Sequence, residues 1–350
     1  MTGPAVSVLT ATYNRAHVLH RPYESLKRQA VRDFEWVVVD DGSSDETPEL
    51  LHRWQSEADF PITWYRYDRN RGVNAAVNSG LKVVSGEYVC NLDSDDALLD
   101  DAMETIAYFR ERTGIDSIPS AYQMAFRCVD QSGALVGQLN EDARKSFQNE
   151  TVRSSFRNAA YRLGLSFDFI TVSKAPVARS RELIELTNSE HCPESVTIFR
   201  LSDRYETIFV NRPVLRYFRN DGEDHLSDRA RSSVMIAKQP RGNYIRALSI
   251  LNGDVGYFLD RPKSFFGAGR KLMRLGLHLG RSPWRQFRDL ANWRARLLWM
   301  AGMPGGCFGY LRDRLRGRTA PKADPDISAW GPAAPPVNPK LHLPPERFRS

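Results

Sequence analysis

Four times in the first hundred residues a short, β-rich apolar run ends in a cluster of polar side chains, and between the runs the pattern turns helical. The runs are Val6–Thr12, Glu35–Val39, Ile62–Tyr67 and Glu87–Leu92; the helix-like segments are Ala16–Gln29, Thr47–Ser56 and Val73–Val84. Pro48 suits the first turn of its helix, behind the capping candidates Ser44 and Asp45. Alternation at this spacing predicts an α/β fold, a mostly parallel sheet with right-handed crossovers and flanking helices.

Such sheets bind ligands beyond the carboxyl ends of their strands. Here those ends read Thr12-Tyr13-Asn14, Asp40-Asp41-Gly42-Ser43-Ser44-Asp45, Asp68-Arg69-Asn70-Arg71-Gly72 and Asp93-Ser94-Asp95-Asp96. Helix capping is as good a reading of Asp45 as a ligand site. It does not account for four polar ends on one edge. Asp93 and Asp95, with Asp96 beside them, repel one another unless a cation lies between them. Hard oxygen ligands suit Mn2+ or Mg2+, and Mg2+ completes its shell with substrate phosphates and water. A nucleoside diphosphate therefore fits this edge. Gly72, Asn70 and Asn78 are placed to approach it, and Tyr13 to stack on a base.

No G-x-x-x-x-G-K-[ST] occurs, which excludes a P-loop ATPase, and no G-x-G-x-x-G follows the first strand. A metal-held nucleotide without a glycine-rich phosphate loop points to nucleotide-sugar chemistry, with the diphosphate as leaving group.

Charge is unevenly spread. The net charge of +7 hides an N-terminal hundred with 10 basic and 16 acidic side chains, and a segment 241–318 with 16 basic and 4 acidic. The acidic start excludes nucleic-acid binding there. Cys90, Cys128, Cys192 and Cys307 form no C-x-x-C pair, so they read as reduced thiols. No signal-peptide pattern opens the chain, and no apolar stretch reaches the ~20 residues of a membrane span. The expectation is a cytoplasmic protein.

Further on, a helix is predicted over Leu98–Arg112, then a hairpin of Tyr122–Val129 and Ala134–Leu139 around Asp130–Gly133. Residues 140–160 are polar and carry no clear period. Strand Phe167–Ser173, helices Val177–Leu186 and Glu194–Tyr205, and a strand pair or long strand over Thr207–Phe218 follow. From about Ser227 the pattern is helical. Ser282-Pro283 is an N-cap pair, and Phe287, Leu290, Trp293, Leu297 and Met300 recur on one face beside arginines. Eight of the 20 prolines fall in 320–350, so 319–350 reads as an unstructured tail.

The segments Val6–Arg15, Val37–Asp45, Asn70-Arg71-Gly72 with Ala75–Gly80, and Gly86–Asp96 closely resemble the family 2 glycosyltransferases of GT-A fold. The resemblance covers roughly residues 5–228. It implies a Rossmann-like domain over 1–228, with a nucleotide-sugar half (1–97) and an acceptor half (98–228), followed by a basic helical extension (229–318) that the core motifs do not predict. It implies inverting, metal-dependent transfer of a sugar from a nucleotide-diphospho-sugar to an acceptor hydroxyl. Asp93-Ser94-Asp95 matches the DxD motif, so Asp95 would hold the metal, with Asp93 near ribose and metal. Thr12, Tyr13, Asp40 and Asp41 would hold the nucleotide. The Cys192-Pro193-Glu194-Ser195 stretch resembles the region of the catalytic base, which makes Glu194 the base and Glu190 the reserve. His225, in Asp221–Ser227, would add a metal ligand. The Q-x-x-R-W motif of processive synthases is absent, which favours single addition.

Basic charge and aromatics coincide in 241–318, at Phe265, Phe266, Trp284, Trp293 and Trp299. That mixture suits an anionic leaflet, so the expected acceptor is a lipid-linked saccharide of cell-surface polysaccharide synthesis, used at the cytoplasmic face. A helical subdomain packed on the core is the other reading of this segment. Two alternatives to transfer stay open: a catalytically inactive glycosyltransferase-like binding protein, and a metal-dependent nucleotidyltransferase.

Overall fold

The computed structural model describes residues 3–137, 139, 141–147, 150–165, 168–186, 189–218 and 239–318. His225 with its loop Asp221–Ser227, and the proline-rich stretch 319–350, lie outside the described residues. The chain divides into two compact units. One runs to Leu183 and resumes at Leu201; the other comprises Ile184–Arg200 and the helices from residue 240 onward.

Among the described residues, the first unit is built on a nine-stranded sheet. Its strands are β1 (Val6–Thr12), β2 (Phe34–Asp40), β3 (Ile62–Arg66), β4 (Tyr88–Asn91), β5 (Ala97–Leu98), β6 (Ala121–Val129), β7 (Thr151–Ser154), β8 (Phe169–Lys174) and β9 (Glu206–Arg216). The order is β3-β2-β1-β4-β8-β6-β9-β5, with β7 also on β9. β3, β2, β1 and β4 are mutually parallel, and α1 (His20–Lys27), α2 (Thr47–Glu57) and α3 (Val73–Val83) connect them. In register, Thr12 lies opposite Asp40, and Asp40 opposite Arg66, so the polar ends emerge together.

Apolar side chains on the two faces of the parallel strands explain this arrangement. Val8, Trp36 and Val38 face one buried cluster, with Tyr23 stacked on Trp54 at 4.3 Å, and Leu9, Val37 and Val39 face another under α3. Covering a side chain of Phe34's size contributes roughly 1.5–3 kcal/mol. The buried Trp36 Nε1–H donates to Thr10 Oγ at 3.0 Å, so the indole brings no unmatched donor into the core.

After β4 the pattern departs from the expected one in several places. The predicted hairpin has one arm only: Val129 meets Leu135 in a single bridge, since the Asp130 carboxylate gathers the Ser132 and Ala134 amides into a tight turn. Helix α4 (Ala102–Thr113) starts later than expected, and Gly114, with φ of 59°, ends it. Within 140–160 lie α5 (Glu141–Ser146), β7 and α6 (Phe156–Tyr161). The helix expected over Val177–Leu186 is the shorter α7 (Ala175–Ser180). The segment expected over Thr207–Phe218 proves to be one long strand, β9, that ends two residues early at Arg216; its pairing with β6 shifts register near Pro213, a residue that cannot donate to the ladder.

In the second unit, Ile184, Leu186, Cys192, Val196 and Ile245 form a small core. Its helices are α8 (Ser195–Leu201, whose last residue falls in the first unit), α9 (Pro240–Gly253), α10 (Pro262–His278), α11 (Pro283–Asp289) and α12 (Trp293–Leu315). A Cβ at Gly302 would lie 2.5 Å from the Arg270 amide nitrogen, and one at Gly306 2.6 Å from Met273 Cβ. Glycine at these positions lets α12 approach α10 at backbone distance. The buried Asp313 carboxylate takes two hydrogen bonds from Arg274, each 2.6 Å, and pairs with His278. Asp289 is held likewise by Arg281 and Tyr244. The expected stripe from Phe287 to Met300 is not one face of one helix. The chain breaks between α11 and α12, where Asn292 caps the new helix through Ala295, and Leu290 is buried while Trp293, Leu297 and Met300 are exposed.

Candidate active site

Three loops at the carboxyl ends of β1, β2 and β3 are tied into one framework. Asn14, at φ of 51°, accepts the Ser44 amide through Oδ1, while its own amide donates to Ser43 Oγ. Asp45 accepts the Ala16 and Thr47 amides; burial works against its ionisation, yet these hydrogen bonds hold its carboxyl below the usual range. The N-cap of α2 is Glu46, which makes no side-chain cap hydrogen bond, so Asp45 does not take the expected capping position; its carboxylate ties the β1 loop to the first residue of α2.

Asp40 is fully buried. Its Oδ1 accepts from the Ser43 amide and hydroxyl, and Arg66 Nε lies 3.3 Å from Oδ2 without hydrogen-bond alignment. Burial pushes its pKa up, against the pull of Ser43 and Arg66. Asp41 is buried too. Its two oxygens accept the main-chain N–H groups of Arg71 at 2.7 Å and Gly72 at 2.8 Å. Burial outweighs those bonds and raises its pKa to about 6. Gly42, with φ of 78°, lets the β3 loop come close: a Cβ there would sit 2.7 Å from the Arg69 carbonyl carbon.

Tyr13 stands 42% exposed at the end of β1, its ring open to a ligand. Thr12 Oγ1, Asp40 Oδ2 and Asn91 Oδ1 are buried oxygens without a hydrogen-bond partner, at the ends of β1, β2 and β4. Buried acceptors left open on neighbouring strand ends leave room for donors from a ligand or from water.

The β4 loop brings Asp93, Asp95 and Asp96 together. One carboxylate oxygen from each lies within 4.8 Å of the others, and the three grade from exposed through half-buried to buried. Burial, then the charges of Asp93 and Asp95, drives the Asp96 pKa well above the carboxylate range. Asp96 also accepts the Phe218 amide at 3.0 Å. Arg21 donates to the Asp95 carbonyl at 3.0 Å and lies over the Phe218 ring, and Arg15 Nη1 is 3.8 Å from the Asp95 carboxylate. Three hard oxygens in like-charge repulsion fit a small divalent cation, and one half-buried and one exposed carboxylate leave room for phosphate oxygens.

Arg15, Arg21 and Asp96 were not among the sequence-predicted site residues. Asp96 adjoins the DxD pair and was legible as a third carboxylate; the two arginines reach the loop from α1 and its approach, which no local pattern signals. Asn70 lies in the loop whose Arg71 and Gly72 amides Asp41 holds. Asn78 is used differently from the expectation. It sits mid-helix in α3, and its amide exchanges two 2.9 Å hydrogen bonds with the Leu183 main chain.

The candidate bases lie in the second unit. Glu194 is half-buried and directly precedes α8, its carbonyl accepting the Thr197 and Ile198 amides, so the helix opens one residue later than expected. Glu190, the reserve, is engaged: it accepts the Arg241 and Gly242 amides at the start of α9 and pairs with Arg241 Nε at 2.6 Å.

Residues 7–161 match the family model described as glycosyl transferase family 2. The chain carries a family 2 glycosyltransferase domain. Curated proteins match the same region. A Campylobacter jejuni GalNAc(5)-diNAcBac-PP-undecaprenol beta-1,3-glucosyltransferase is 36% identical over 103 residues, which is 29% of this chain and 33% of that protein. An Escherichia coli chondroitin synthase is 35% identical over 134 residues, 38% of this chain and 19% of that protein. The matches thus span a third or less of these relatives. Among solved structures, S. aureus TarS with UDP-GlcNAc aligns over 89% of this chain and 92% of its own, at a TM-score of 0.57 and 17% identity. That likeness shows the GT-A fold. In the glycosyltransferase domain, the acidic trio and the Asp41 loop occupy the strand ends where an open α/β sheet takes its ligand.

Proposed function

We propose that the chain is an inverting glycosyltransferase that moves a sugar from a nucleotide-diphospho-sugar to an acceptor hydroxyl. The observation that carries this reading is the meeting of three carboxylates at the β4 end with the exposed Tyr13 and the buried Asp41 on neighbouring strand ends, within a family 2 domain. Tyr13 stacks on the base, Asp41 sets the loop that borders it, and Thr12 and Asp40 lie beneath. Asp95 and Asp93 hold Mn2+ or Mg2+, with Asp96 behind them. A bound divalent ion offsets the charge of the diphosphate leaving group. Arg15 and Arg21 fix the loop that presents these carboxylates. Glu194 takes the proton from the acceptor hydroxyl as it attacks the anomeric carbon; Glu190, committed to α9, does not compete for that role.

The Campylobacter relative's name includes an undecaprenol-diphosphate acceptor, which supports a lipid-linked saccharide as acceptor here. No helix among the described residues is long and apolar enough to cross a membrane. The reading is of an enzyme held peripherally at the cytoplasmic face of an anionic membrane by its basic extension. The test is incubation with Mn2+ and a panel of UDP-, GDP- and dTDP-sugars, following thermal shift and slow donor hydrolysis. A metal-dependent response to one donor supports the reading. No response to any donor with metal present overturns it.

A further inference from the structure

α12 is apolar on two opposite sides. One side, with Ala295, Leu298, Trp299, Gly302, Gly306 and Gly309, is buried, and its glycines meet α10. The other carries Trp293, Leu297, Met300, Phe308, Leu311 and Leu315, exposed by 44% to 89%, and Pro304 continues the same row. At 3.6 residues per turn these positions fall on one stripe about 33 Å long. Arg294 and Arg312 border it on one flank, and Arg296 and Arg314 on the other. A helix side that faced water would be polar, and contiguous exposed apolar surface of this extent marks an interaction site.

The charges identify the occupant. From residue 261 to 318 the only acids are Asp289 and Asp313, both buried and both tied to arginine. Every exposed charge in this stretch is therefore positive. A second copy docked along the stripe would set arginine rows against arginine rows. A surface that is apolar inside and negatively charged at its boundary matches both features.

We propose that the outer face of α12 lies flat in the interface of an anionic lipid leaflet. Its stripe reaches the acyl boundary and its arginines sit at the lipid phosphates. This rests on the peripheral membrane reading above and assigns it to one surface. The helix lies in the interface plane; it does not span.

The experiment is flotation of the full chain with vesicles of phosphatidylcholine alone and of phosphatidylcholine with one quarter phosphatidylglycerol. Wild type should float with the anionic vesicles and at least about ten-fold less with the neutral ones. The double variant Leu297→Glu with Phe308→Glu should lose at least about ten-fold in association. Its thermal midpoint and its response to nucleotide-sugar should stay at wild-type levels, so failure of this seat is separable from failure of the transfer reading. If that variant does not fold, Trp293→Ala with Leu311→Ala serves the same comparison. Equal flotation of variant and wild type overturns the proposal, as does wild type that floats with neither vesicle. A wild-type dimer in lipid-free solution that the double variant converts to monomer also overturns it, by assigning the stripe to a second copy.

Discussion

The Asp41 carboxylate, at the end of β2, accepts the main-chain N–H of Gly72, at the start of α3, at 2.8 Å. Its other oxygen takes the Arg71 amide. One side chain thus sets the loop between β3 and α3, and Gly72 can enter the helix at φ of 100° because it has no Cβ.

Asn at position 41 can offer only one acceptor to these two amides and turns an NH2 against the other. Asp41→Asn should lower stability by about 1–3 kcal/mol and weaken nucleotide-sugar binding. Chemical denaturation and calorimetric titration check both. Unchanged donor affinity would mean that the loop does not border the donor.

The raised pKa of Asp41 has a definite sign. Between its usual value near 4 and about 6, the folded chain keeps this proton and the unfolded chain does not. Its contribution to stability is complete below that window and is lost as pH rises through about 6, on the order of 3 kcal/mol at most. Unfolding curves from pH 4 to pH 7 should show the wild-type advantage over Asp41→Asn shrink with rising pH. A constant difference across the window would contradict the assignment.

The acidic trio predicts opposite effects with and without cation. Without metal, Asp96→Asn should raise the thermal midpoint, since folding no longer has to protonate a carboxyl, or bury it ionised, beside Asp93 and Asp95. With Mn2+ the variant should gain less than wild type, since linkage adds stability only through binding. Asp95→Ala should abolish metal-dependent donor binding. A full Mn2+-induced shift in Asp95→Ala would place the ion elsewhere.

Asn78→Ala leaves the Leu183 N–H and C=O without their partner. The expected cost is about 1–3 kcal/mol, with nucleotide-sugar affinity retained. An intact fold with ten-fold weaker donor binding would instead return Asn78 to the donor site.

Glu194→Gln keeps the shape and removes the carboxylate proposed as the base. Donor binding should persist while transfer falls by at least about a hundred-fold, in the range general-base catalysis contributes. Retained transfer would move the base to another residue.

The proposed donor edge was legible because each of its parts is local: an apolar strand period, then polar residues at the strand end. Thr12, Tyr13, Asp41 and the Asp93–Asp96 run needed no long-range information. What stayed hidden depends on contacts far apart in sequence. Asn78 looks like a ligand-facing amide until Leu183 is found against it, 105 residues away. Leu290 continues the spacing of Trp293 and Leu297, yet Asn252 draws that turn inward by accepting the Ala291 amide and donating to the Asp289 carbonyl. α12 was hard to read for another reason: apolar on both sides, it lacks the one-sided pattern by which an amphipathic helix is recognised.

The close approach of Gly42 to Arg69 restricts how this edge can vary. A side chain at position 42 would run into the backbone of the β3 loop, and Asp41 is bonded to the far end of that loop. The two loops therefore cannot change length independently. An insertion in one would pull the other off its hydrogen bonds. If this edge holds the nucleotide as proposed, change in the preferred base must come from side chains that point out of the framework, Tyr13 foremost, by substitution rather than insertion.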